Sequence, residues 1–265
     1  MLDSLLFILS LYPWNSNISA YSTIGAYSSG TEYQSTAIYA GFDRRGADQF
    51  YAAYETLKIG DGASQFEQKI YQLRSLSAIH PYLWLGASGA VIQTPGFEDG
   101  WLLGAQWQGW FPWLGISAGW NRMNLSAIDT ETLDTLRFDV QQGQFGLSRM
   151  IGKAYLEVGL KGQQVDSLQT ISLEGALYYT PMPNFTIYLN LEAGENRFAY
   201  SPAQMLLNTN PDILKGKFGM GIHYKPVHWL KSHLFYSSHN YLSKMDGFDY
   251  KYTVDYLGAG ISLIF

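Results

Sequence analysis

The sequence predicts an all-β chain, a closed antiparallel transmembrane β-barrel of about fourteen strands. Three observations carry this reading. Long segments alternate strictly between apolar and polar or small side chains, and the apolar rows of the clearest ones hold no charge. The composition is rich in rings and poor in charge. The links between segments alternate between tight and longer, as in hairpins stacked around a cylinder.

Composition bounds the class. The 265 residues are 16% aromatic and 15% charged, where a soluble domain of ordinary make-up has about 25% charged residues. No run of ~18 apolar residues is present, which excludes helical spans. Alternating strands with aromatic girdles account for both the rings and the modest hydropathy. The absence of cysteine removes a disulfide framework or a thiolate metal site. A net charge of −5 offers no basic stripe for nucleic acid.

The alternation is clearest in the second half. Leu156, Val158 and Leu160 alternate with Tyr155, Glu157, Gly159 and Lys161. Ile171, Leu173 and Leu177 alternate with Ser172, Glu174 and Tyr178, and Ile187, Leu189 and Leu191 with Tyr188, Asn190 and Glu192. Further on, Phe218, Met220 and Ile222 alternate with Lys217, Gly219, Gly221 and His223. Period two is the mark of a strand with one apolar and one wet face. A soluble sandwich shows the same period, but its outer rows need charge. Here the polar rows are rich in Gly, Ser, Gln and Tyr, which suits a lumen. A Lys or Arg facing hydrocarbon costs ~2–4 kcal/mol at the midplane, so uncharged apolar rows are expected on the lipid side.

Strands are expected near 17–28, 33–43, 48–57, 65–76, 82–93, 100–111, 113–124, 134–149, 152–163, 168–180, 185–197, 214–225, 228–240 and 250–265. Tight links fall at Asp43–Gly46, Ile79–Pro81, Phe111–Trp113, Met150–Gly152, Thr180–Asn184 and Lys225–Val227. Longer ones fall at Thr94–Asp99, Ser126–Leu133, Asn196–Asp212 and Tyr241–Asp249. With both chain ends in the periplasm, every tight link lies on that side. Tyr82, Trp110, Phe111, Trp113, Tyr179, Phe185, Tyr224 and Trp229 flank these links and read as an interfacial girdle. Residues 17–265 form the barrel. Residues 1–16 are a lead-in or the remnant of a signal segment, since their apolar run lacks a basic start.

The chain ends Gly258-Ala259-Gly260-Ile261-Ser262-Leu263-Ile264-Phe265. Glycines, hydrophobic residues spaced by two and a terminal Phe resemble the C-terminal assembly signal of bacterial outer-membrane β-barrel proteins. Gly258, Gly260, Leu263 and Phe265 carry the likeness, with Gly258 standing where a polar residue is usual. The resemblance implies an outer membrane of Gram-negative type, contact with its lipid and lipopolysaccharide, and passage through the barrel-assembly machinery.

No nucleotide, phosphate or nucleophile-elbow motif is present, and neither a cofactor nor a metal site is implied. Chemistry is left to the lumen, where Lys153, Glu157, Lys161, Glu174, Glu192, Lys217, His223 and His233 have inward parity. If Gln163 to Leu168 is a simple hairpin loop, Glu157 lies opposite Glu174, with Glu192 diagonal to it. Opposed side chains sit ~5 Å apart and diagonals ~7–8 Å, so three carboxylates cluster. They make either a cation-attracting constriction or an ion and tyrosine network that stiffens the wall. His239 shares the inward face with Ser237 close by. A hydrolase requires such a pair within hydrogen-bond reach.

The 196–212 loop holds Phe198, Tyr200, Met205, Leu206 and Leu207. It is a lid over the mouth, a contact for a protein partner, or a packed excursion above the rim. Bulky Tyr155, Tyr178, Tyr188, Trp110 and Tyr256 argue for a filled lumen, and the glycine rows at 258/260, 219/221 and 115/119 for an open one. Three functions follow: a narrow channel or conduit for small hydrophilic or ionic solutes, a non-conducting docking scaffold, or a lipid-modifying enzyme.

Overall fold

A computed structural model describes residues 14–44, 48–60, 65–128, 135–201, 205–245 and 248–265. The expected lead-in up to residue 13 and the tips of several loops, including Arg45 and Gly46, lie outside the described residues.

The first strands are β1 (Trp14–Tyr27), β2 (Glu32–Arg44), β3 (Asp48–Gly60), β4 (Gln65–His80) and β5 (Leu83–Gln93). Then come β6 (Gly100–Trp110), β7 (Gly115–Ile128), β8 (Thr135–Ile151), β9 (Ala154–Val165), β10 (Leu168–Met182) and β11 (Phe185–Asn196). Two short strands, β12 (Tyr200–Ser201) and β13 (Leu206–Leu207), pair with each other. The chain closes with β14 (Ile213–Val227), β15 (Leu230–Met245) and β16 (Phe248–Ile264). The barrel has fourteen strands, β1–β11 and β14–β16, each antiparallel to its neighbours, and β1 pairs with β16. Closure leaves no sheet edge, which a strand in hydrocarbon requires.

The seam runs from Asn17 opposite Ile264 to Tyr27 opposite Val254. Phe265 extends it: its N–H donates to the Ser16 carbonyl at 2.8 Å, and its own carbonyl accepts from Ser16 at 3.2 Å. Phe265, Leu263, Ile261 and Leu257 point outward and are exposed, while Gly258 and Gly260 face in beneath the Phe235 and Tyr21 rings.

The outer surface confirms the sign of the faces. Leu73, Leu103, Ile171, Leu173 and Leu191 are more than half exposed, a pattern that water would penalise and hydrocarbon favours. Outside the barrel at the terminal end stand Tyr82, Phe111, Trp113, Tyr179, Tyr224 and Trp229. Trp110 departs from the expected girdle. It takes inward parity on β6 and packs over the Tyr155 ring at 6.3 Å.

Strand existence and face match the expectation, but several loops are shorter. The β9–β10 connection is a two-residue turn at Asp166 and Ser167, with Val165 paired to Leu168 and Asp166 at φ 52°. Strands β15 and β16 pair out to Met245 and Phe248, so the expected Tyr241–Asp249 loop is mostly ladder. Above the apolar belt the outer face of β15 and β16 turns polar, as where the Tyr236 hydroxyl donates to Asp255 at 2.9 Å.

Candidate functional site in the barrel lumen

At the mouth, residues 197–201 and 205–212 turn inward. Phe198 and Met205 take φ of 50° and 51°, in the left-handed region that non-glycine residues enter only under tertiary constraint. Between them Tyr200 and Ser201 pair with Leu207 and Leu206. The resulting hairpin lies across the lumen. Phe198, Tyr200 and Met205 are buried, with Phe198 and Tyr200 packed on Ile70, Leu102, Met123 and Val140 of the far wall. The Phe198 ring meets Phe138 at 5.0 Å.

Inward amides fix the hairpin in place. Gln142 donates from Nε2 to the Tyr200 carbonyl at 2.7 Å and accepts from the Tyr200 N–H at 3.1 Å. Gln163 donates to Gln142 at 3.0 Å and accepts from the Arg197 N–H at 2.8 Å. Thr209 donates to Gln68 at 2.8 Å, and Asn210 donates to the Tyr252 hydroxyl at 3.0 Å. Of the three expectations for this loop, the structure shows the one that enters the mouth: it is a plug, with Phe198, Tyr200 and Met205 turned into the barrel. Sequence reading missed Gln68, Gln142 and Gln163. Their only signal was inward parity near the loop end of each strand.

Beneath the plug sits the charge cluster, in a register two residues from the expected one. The tighter β9–β10 turn places Glu157 opposite Ala176, not Glu174. Glu174 faces Glu192 directly. A shift of two keeps every residue on its face, so the carboxylates still converge. Lys161 neutralises them: its Nζ lies 2.6 Å from Glu174 and 3.6 Å from Glu192, with the lysine side chain only 4% exposed. Ser172 donates to Glu192 at 2.9 Å, and Asn196 donates to the same oxygen. Lys217 stands opposite Glu192 in the ladder. Lys153 is not in the lumen. It lies in the β8–β9 turn, exposed, and donates to the Pro181 carbonyl at 2.6 Å.

Glu157 lines a cavity of about 130 Å³ with Glu174, Gln106, Gln144, Tyr155 and the plug residue Ser201. Among the described residues, both side-chain polar atoms of Gln72 and of Asn121, and Nε2 of Gln106, are buried without a hydrogen-bond partner.

In the terminal half, rings line the wall. Tyr155, Tyr178 and Tyr188 succeed one another at centroid distances of 6.0 and 5.8 Å. His223 follows at 4.8 Å and His233 at 4.6 Å. Tyr21 is 5.2 Å beyond His233, and Tyr39 is 5.5 Å beyond Tyr21. Trp110 joins the series at Tyr155. Four of the six glycines expected to open the lumen, Gly115, Gly221, Gly258 and Gly260, are instead sockets for rings, while Gly119 lies against Gln144 and Gly219 has no ring over it. A Cβ on Gly260 would meet the Tyr21 ring at 2.3 Å, on Gly258 the Phe235 ring at 2.1 Å, and on Gly115 the Trp110 ring at 2.9 Å.

The histidines bond to hydroxyls. His233 Nε2 lies 2.9 Å from Ser262 Oγ, and His239 Nε2 lies 2.8 Å from Ser237 Oγ with Nδ1 3.3 Å from the Tyr241 hydroxyl. The reach condition for a reactive pair is met. Among the described residues, however, neither imidazole is hydrogen-bonded to a carboxylate, and both pairs face the lumen. The described residues contain no group of three or more His, Cys, Asp and Glu side chains placed to hold a metal.

A closed fourteen-strand cylinder with apolar outer rows and a polar, ring-lined interior defines a transmembrane β-barrel of the outer-membrane class. Solved structures agree at the level of fold. The chain is similar to the CymD monoaromatic hydrocarbon channel (TM-score 0.60, 8% identity, 95% of this chain and 88% of that one). It is similar to a deltaS2 mutant of the TodX monoaromatic hydrocarbon channel (TM-score 0.59, 11% identity, 97% and 91%); TodX is a toluene transporter of P. putida. It is also similar to the outer-membrane protein OmpT of Vibrio cholerae (TM-score 0.52, 11% identity, 96% and 97%). No protein-family model and no curated protein sequence matches the chain.

Proposed function

We propose that this chain is an outer-membrane channel, with both ends in the periplasm, that passes small hydrophilic solutes through a lumen narrowed by the β12–β13 hairpin. One observation supports the reading: a loop folded into the barrel and fastened to inward amides, beside a charged cluster on the inner wall. A docking scaffold has no need of an internal constriction or of charge in the lumen. The Lys161–Glu174–Glu192 network combines both sequence-level alternatives, stiffening the wall while holding charge in the path.

Passage of monoaromatic hydrocarbons, the solutes named for CymD and TodX, is a second reading. The lumen rings favour it, and the ion cluster opposes it. Planar-bilayer conductance tests the proposal. The purified protein is expected to open small, discrete steps in potassium chloride, and replacement of residues 198–208 by a short Gly-Ser linker is expected to enlarge them severalfold. Silence from both proteins overturns it.

A further inference from the structure

Three carboxylates converge on the inner wall, and two ammonium groups meet them. Lys161 lies 2.6 Å from Glu174 and 3.6 Å from Glu192, and Lys217 stands opposite Glu192 in the ladder. Glu192 also accepts from Ser172 and Asn196. Glu157 is left over. Among the described residues its side chain has no salt bridge and no hydrogen bond, and it borders the cavity of about 130 Å³ beside the plug.

The rest of the lining is unlike the usual surroundings of an acid. Trp110 and Tyr155 border the same cavity, with ring centroids 6.3 Å apart and planes inclined by 37°, so the two rings diverge rather than stack flat. Gln106 borders it as well, 8% exposed, with Nε2 buried and without a hydrogen-bond partner among the described residues. One unpaired anion, two rings and one unpaired N–H donor share a single small space.

These groups select among ligands. A hydrocarbon fills the space but leaves the carboxylate and the amide unpaired. A neutral polyol bonds both but brings no charge to offset the extra anion. A metal cation neutralises Glu157 but needs oxygen ligands on most sides, where this cavity presents rings. An organic ammonium ion meets every feature. Its charge faces Glu157, its alkyl skin lies against the aromatic rings, and a hydroxyl on it accepts from Gln106. A cavity on the order of 150 Å³ holds benzene, so about 130 Å³ admits an ion of roughly six or seven non-hydrogen atoms.

We infer that this cavity binds small organic ammonium ions of the size of choline. The inference rests on the channel reading and names a solute class for it. The test is calorimetric titration of the full refolded chain in detergent with choline chloride at fixed ionic strength. Dimethylbutanol, in which carbon replaces the charged nitrogen, is the neutral isostere, and potassium chloride is the inorganic competitor. Choline is expected to bind saturably and the alcohol is not, and exchange of sodium for potassium is expected to leave the choline Kd unchanged. Glu157→Gln keeps the shape and removes the charge. It is expected to raise the choline Kd about tenfold or more, the scale of one charged hydrogen-bond partner. Trp110→Leu is expected to raise it about fivefold, the scale of one cation–π contact. Glu55→Gln, an equal loss of charge on β3 where Glu55 accepts from Ser35 at 2.6 Å, is expected to leave it alone. Equal affinity for choline and the alcohol, displacement of choline by potassium, or equal losses in Glu157→Gln and Glu55→Gln each overturn the inference. So does the absence of choline binding by a wild-type protein that conducts. Should a variant fail to fold, the wild-type comparisons decide alone. Absence of ion current in the wild type overturns the channel reading instead, and with it the role of any bound cation as a solute.

Discussion

Gln142 holds the backbone of Tyr200 from both sides, donating to its carbonyl at 2.7 Å and accepting from its N–H at 3.1 Å. The amide copies the pairing that a neighbouring strand would offer. It thereby lets a two-residue strand terminate inside a barrel without leaving its polar groups bare.

Replacing Gln142 by Leu removes both bonds and leaves the Tyr200 backbone groups unpaired in a buried site. The hairpin is expected to lose about 1–3 kcal/mol of its closed state, which shifts it toward the open mouth. Conductance steps larger than wild type, and faster protease cleavage within residues 198–208, are the readouts. Gln142→Glu sets a carboxylate oxygen against the Tyr200 carbonyl in a buried site, so a loss at least as large as that of the leucine variant is expected at neutral pH.

Lys161 holds two carboxylates that face each other across the β10–β11 ladder. Lys161→Met leaves Glu174 and Glu192 as opposed anions. Loss of one member of a buried pair costs about 3–5 kcal/mol; Glu174 is 35% exposed to the lumen, so the low end of that range is expected. Urea unfolding of the refolded protein measures it, and adding Glu192→Gln is expected to restore part of the loss. The reversal potential across a salt gradient is expected to move toward cation selectivity in the single variant.

What the sequence makes legible is the face of each residue, and the reason is physical. Period two survives a register error of two, so Leu156 and Leu173 go outward and Glu157 and Glu174 inward in either register, whereas a slip of one would turn every side chain over. The pairing itself depends on turn length. The two-residue turn at Asp166–Ser167 was not legible, because Gln163 to Asp166 is polar enough to read as loop. That alone moved Glu174 from Glu157 to Gly159. The plug was half legible. Phe198, Tyr200 and Met205 mark an apolar loop, but the wall residues that receive it lie as far as 141 positions away, as for Gln68 and Thr209. Glycine rows misled for a related reason. A missing side chain reads as space until the neighbouring strand's ring is known to fill it.

That filling gives a prediction at the closing strand. A Cβ on Gly258 would stand 2.1 Å from the Phe235 ring. Gly258→Val is expected to cost about 1–3 kcal/mol as an overpacked site and to lower the yield of folded barrel. Phe235→Ala in the same chain makes room for the new side chain. Recovery of folding yield in the double variant beyond that of Gly258→Val alone assigns the defect to this contact; equal loss in both assigns it to the backbone.

The membrane-facing surface is tested by charge at two heights. Leu173 points outward within the apolar belt and is 54% exposed. Asn240 points outward on the same barrel, above that belt, and accepts a hydrogen bond from Thr253 at 3.0 Å. Arginine at Leu173 is expected to destabilise the barrel refolded into vesicles by ~2–4 kcal/mol, and arginine at Asn240 by ~0–1 kcal/mol. In water-soluble packing the order would not hold, since both sites already face solvent and a guanidinium is at home in either. Equal, small costs in vesicles therefore mean that the outer rows do not meet hydrocarbon. A cost that falls with height locates the bilayer on the barrel, residue by residue.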